Sequence, residues 1–143
     1  MTQQILFFTA ILIGAFYVVK YGNKAKANIE KFQKNKEDKK TDYLNQKVFY
    51  GLKNRNSGFD SEAIYYFSEE DFQIVLDRTE KLNIGIYGIE PWLNEEFYDF
   101  AGFKDFGNDP YDANWYKQAF EMFKKQNKPL LYSASYAISD SLL

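Results

Sequence analysis

Hydrophobic and polar positions divide the chain into three stretches. The first, Ile5–Val19 (ILFFTAILIGAFYVV), holds fifteen residues without a charge. As a helix it would rise about 22 Å, and Thr2–Gln4 before it with Lys20–Tyr21 after it extend the rise to about 30 Å, the thickness of a hydrocarbon core. The pattern predicts a single transmembrane helix over 1–21, with Lys20 snorkelling and Tyr17 and Tyr21 at the interface. Two other readings compete. One is a cleaved secretory signal, with Ala25-Lys26-Ala27 as its site, but the basic leader is missing and lysines crowd the site. The other is a buried helix, but the next thirty residues offer almost nothing apolar to cover it.

Residues 22–46 are polar around every helical face; Ile29 and Phe32 are the only large apolar residues before Tyr43. They predict a solvated helix or a spacer.

From 47 to 143 the apolar positions become periodic. Val48–Tyr50 and Glu62–Phe67 read as short strands separated by turn chemistry in Lys53–Gly58. Ser68 caps a helix with Glu69, Glu70 and Asp71 in its first turn; Phe67 and Phe72 are placed as a hydrophobic staple. Phe72, Val75, Leu76 and Thr79 form its buried stripe, and Asn83 suits a left-handed stop. Ile84–Leu93 is a strand with Ile84, Ile86 and Gly88 on one face, Gly85, Tyr87 and Ile89 on the other, and Pro91 ending the ladder. Residues 94–106 read as a strand or hairpin arm. A second helix is capped by Asp109, with Pro110 at its first position, Asp112 in its first turn and Tyr116, Ala119, Phe120 and Phe123 buried. A last strand, Leu130–Ile138, places Tyr132, Ala134 and Tyr136 on one face, and the SDSLL tail frays. The expected fold is α+β: a small, mostly antiparallel sheet with two helices on one face, after the anchor and stalk.

Charge sharpens this layout. Residues 20–53 carry ten lysines against four acids, +6, whereas 54–143 carry eight bases against sixteen acids, −8, which gives the net −2. Lysines that follow the apolar run predict the N-terminus outside and the acidic domain on the cytoplasmic face of an inner or plasma membrane. The lysines serve either to fix this topology or to hold the stalk on anionic lipid. An acidic domain repels phosphates, which argues against nucleic acid as its ligand.

Composition then removes chemistry. With no Cys and no His, the chain has no thiolate nucleophile, no Ser-His-Asp arrangement and few routes to a transition-metal site, so no cofactor and no metal are expected. Glu90, Glu95, Glu96 and Asp99 beside Trp92 permit a carboxylate hydrolase reading, against which stands the plainer one of solvated rim charges. Asp105, Asp109 and Asp112 lack the spacing of a calcium loop, and capping accounts for two of them. Asp105-Phe106-Gly107 and Gly85–Gly88 lack the surroundings of the kinase and dinucleotide motifs that they match by letters.

The densest signal is aromatic. Nine rings fall between Trp92 and Tyr116, interleaved with acids. Trp92, Phe97, Tyr98, Tyr111 and Trp115, with Glu90, Glu95, Glu96 and Asp99, are the expected partner-binding residues, suited to a basic protein. The competing reading puts most of these rings in the core. The leading function is a non-enzymatic, membrane-tethered binding domain, of the physical type of immunity proteins that neutralise basic toxins. The alternatives are an accessory subunit of a membrane complex, docked through its N-terminal helix, and a carboxylate-based hydrolase.

Overall fold

The computed structural model describes the backbone of residues 2–143 and the side chains of Val19 and of residues 21–143. The chain forms two compact units, Met1–Thr41 and Asp42–Leu143. The first lies within α1 (Thr2–Lys47), which is exposed along most of its described length, including Ile29 and Phe32. The side chains of the expected anchor, Val19 and Tyr21 apart, lie outside the described residues, and those two are exposed. Among the described residues no helix is long and apolar enough to cross a membrane.

The second unit is a mixed α+β domain. Its elements are the last residues of α1, then α2 (Glu69–Lys81), β1 (Gly85–Leu93), β2 (Glu96–Phe97), β3 (Ala101–Gly102), α3 (Ala113–Lys124) and β4 (Leu131–Ala137). All strand pairs are antiparallel: β1 is central, with β4 on one side and β2 followed by β3 on the other.

Helix α2 follows its sequence signals closely. The Ser68 side chain accepts from the Asp71 N–H, and Phe72, Val75, Leu76 and Thr79 are the buried residues. The Thr79 hydroxyl donates to the Val75 carbonyl at 2.7 Å, so its burial leaves no orphan. Asn83 takes the left-handed φ of 52° that ends the helix. Both helices pack on one face of the sheet, because both reach the same ring of β4. Phe72 of α2 stacks on Tyr132 at 5.2 Å, and Phe120 of α3 meets it edge-on at 5.0 Å.

Several expectations need correction. Helix α3 is capped by Asp112, whose carboxylate accepts from the Asn114 N–H; Asp109 instead folds an Asx turn onto the Tyr111 N–H, which keeps Pro110 outside the helix. Val48–Tyr50 is a turn, held where the Arg78 guanidinium donates to the Val48 and Tyr50 carbonyls at 2.7 and 2.8 Å and lies over the Tyr50 ring. Glu62–Phe67 is not a strand; only Phe67 bridges to Tyr132. Residues before it are drawn away by Asn56, whose amide donates to the carbonyls of Ser61 and Ile64, both at 2.9 Å. Pro91 does not end β1 but pairs with Tyr132, and its carbonyl accepts from Tyr98 on the opposite side. Its missing N–H therefore falls in the gap between β2 and β3, where no ladder bond is lost. A β-bulge at Tyr87 resets the alternation, so Ile86 and Ile89 both enter the core while Tyr87 stays exposed. The tail forms a short 3-10 turn over Asp140–Leu142, and Leu143 packs against the core. Tyr43 and Leu44, within the stretch read as stalk, pack there too.

Candidate protein-docking face

The face of the sheet away from α2 and α3 is where the candidate residues meet. Beyond the bulge, Gly88, Glu90 and Trp92 of β1 share this face with Ser133 and Leu131 of β4. A two-residue hairpin carries the chain back from β1: Asn94 and Glu95 both have positive φ, 52° and 66°, as a type I′ turn requires. The hairpin sets Phe97 directly opposite Trp92, with the rings edge-to-face at 6.4 Å.

Two features of the face come from afar in the sequence. In the first, Asn54 accepts from the N–H groups of Asn56 and Tyr66, and Asn56 clasps the loop between them. Together they lay Phe59, Asp60 and Tyr66 beside Trp92. Phe59 is 5.4 Å and Tyr66 5.2 Å from the Trp92 ring, centroid to centroid. The Tyr66 hydroxyl donates to Asp60 Oδ2 at 2.6 Å. That bond, with a second from the Ser61 N–H, holds the Asp60 carboxyl below its ordinary range. Burial raises the Tyr66 phenol, as does the Asp60 bond, and the charge of Glu90 acts in the same direction. The second feature is the pairing of Gly88 with Gly102, on which the Phe100 ring rests. Phe100 remains 52% exposed, and Phe97 58%.

Of the residues expected from sequence, Glu90, Trp92, Glu95 and Phe97 lie on this face or at its tip. Glu90 and Trp92 are half-buried, while Glu95 is exposed and accepts from Ser57 Oγ at 2.7 Å. Glu96 pairs with Leu93 and so belongs to the opposite side of the hairpin. Tyr98 packs against the core and bonds to Gln126 and Lys128. Asp99 is exposed and turns its carboxylate onto the Phe100 N–H. Tyr111 follows Pro110, whose carbonyl meets Ile86 at the far end of β1, about 20 Å from Trp92. Trp115 is the clear correction: it is 2% exposed, packed against Phe106 and Tyr116, because its position on α3 points into the core.

Phe59, Asp60, Tyr66 and Phe100 were missed. Strand alternation back from Trp92 marks Glu90 and Gly88, but nothing local announces that Asn54 and Asn56 bring a distant loop alongside. Next to the hairpin tip is an open groove of about 670 Å³, lined by Arg55, Ser57, Ser68, Glu69, Glu70, Glu95, Lys128 and Pro129–Leu131, where charges of both signs mix.

The arrangement does not resemble an acid–base pair. Glu96 faces away from Glu90, and Asp60 is pushed down, whereas a general acid needs its carboxyl pushed up. Among the described residues no group of three or more acids is placed to hold a metal ion. What the face offers is rings and carboxylates without an ion-pair partner among the described residues. Neither Glu90 nor Asp60 meets a lysine or arginine among the described residues. No protein-family model, curated protein or solved structure matches the chain.

Proposed function

We propose that this protein is a membrane-tethered, non-enzymatic binding module whose acidic domain takes a basic protein partner. The sequence supports the tether: an uncharged N-terminal run followed by lysines, read as a single-pass helix and basic stalk with the domain on the cytoplasmic face. The observation that carries the binding role is the helix-free face of the sheet. There Trp92, Phe97, Phe59 and Phe100 share the face with Glu90 and Asp60, two carboxylates that no cation of the domain neutralises. Exposed rings beside uncompensated acids suit a partner that supplies both apolar area and positive charge. An immunity-type protein that neutralises a basic toxin is one concrete form of such a module.

The test is a pull-down with the detergent-solubilised full chain at low and high salt, read by mass spectrometry. A basic soluble protein released at high salt supports the reading, and its loss on Trp92→Ala places it on this face. Partners that are membrane proteins, held at high salt and lost on deletion of residues 1–20, overturn it.

A further inference from the structure

The face has a finer structure than a generally acidic surface, and it favours one kind of positive side chain. We propose that Glu90, Asp60 and Trp92 form a niche for an arginine side chain of the partner, an inference that rests on the docking reading above.

Glu90 stands opposite Ser133 on the sheet, and Trp92 follows two residues on, about 7 Å along the same face. Asp60 enters from the other side, fixed by the Tyr66 hydroxyl. Ser133 is 4% exposed and Tyr66 is fully buried, so the floor between the carboxylates is rigid. Phe59 and Phe97 close the flanks of the indole. The two acids therefore come from sequence-distant segments, Asp60 bonded to the Tyr66 phenol and Glu90 across the sheet from Ser133, with an aromatic wall beside them. Neither carboxylate has a lysine or arginine of the domain beside it, so an incoming cation meets charge that no ion pair already satisfies. A guanidinium is planar, donates in two directions at once and stacks on an indole; an ammonium is a compact, strongly hydrated charge that does neither as well. The niche thus selects arginine over lysine, whereas the rest of the acidic surface does not discriminate.

The experiment is calorimetric titration of the full chain in detergent, at low salt, with acetyl-Gly-Arg-Gly-Arg-Gly-amide and its lysine counterpart. The arginine peptide is expected to bind about fivefold more tightly. Glu90→Gln should weaken it about tenfold and level the two peptides, and Asp60→Asn should act in the same direction. Glu121→Gln, an exposed acid on α3 paired with Lys124, should change nothing. Equal affinity for the two peptides, or equal behaviour of Glu90→Gln and Glu121→Gln, overturns the niche and leaves the docking face standing, provided that both peptides bind and are released by salt. Failure of both peptides to bind at low salt overturns the niche and the docking face together.

Discussion

Gly85 and Gly88 stand three residues apart on β1 and respond differently to an added methyl group. At Gly85 a Cβ would lie 3.0 Å from the Pro110 carbonyl oxygen and from Ala137 Cβ, both fixed by the fold. Gly85→Ala should therefore lower stability by about 1–3 kcal/mol, measured by urea unfolding. At Gly88 the Cβ would meet the far edge of the half-exposed Phe100 ring, which can swing outward. Gly88→Ala should cost less than about 1 kcal/mol and yet weaken partner binding, because it lifts a ring off the face. Tyr132 offers a third contrast. Its ring is central to the core, but its hydroxyl is buried without a partner. Tyr132→Phe should leave the melting temperature unchanged or raise it, since removing an unsatisfied hydroxyl can gain about 1 kcal/mol.

Among the elements, the helices show best what could be read from the chain alone. Helix α2 has a cap, an acidic first turn and a clean 3.6-residue stripe, all local, and all were placed correctly. Ser68→Ala should cost it about 1 kcal/mol in thermal unfolding. Helix α3 has the right buried stripe but starts at the second of two aspartates, because an Asx turn and an N-cap use the same residue types. The strands were harder, for a physical reason. Their pairing is decided by long-range partners: the Tyr87 bulge answers to β4, and Glu62–Phe67 is bent away by Asn56. The hairpin at Asn94-Glu95 also lacks the expected signal, since glutamate is a poor residue for positive φ. Glu95→Gly should relieve this and stabilise the domain by about 0.5–1 kcal/mol, read as a higher urea midpoint.

On the scale of the whole domain, burial has sealed several tyrosines. Desolvation raises Tyr66, Tyr132 and Tyr136 well above their ordinary range and pushes Tyr116 up to about 12 from 10.0. The unfolded chain would release these phenolic protons near pH 10 while the folded chain holds them. Their contribution to stability is therefore complete below about pH 10 and is lost as pH rises toward 12. The phenolate absorbance of these four tyrosines should appear only together with unfolding, above pH 10; titration of every tyrosine in the chain while the fold persists would contradict the burial. The candidate site was half visible beforehand for the same reason as the strands: Glu90, Trp92 and Phe97 follow from one hairpin, but Asp60 and Tyr66 arrive through asparagine bonds across the domain. The placement of the two tryptophans has a last, spectroscopic consequence. Trp115 is sealed in the core, and Trp92 stands half-buried on the proposed docking face. With one indole in each place, Trp92→Phe leaves an emission signal that follows only unfolding, while Trp115→Phe leaves one that follows occupancy of the face. The chain thus carries its own two-channel optical reporter, with no dye and no engineered cysteine.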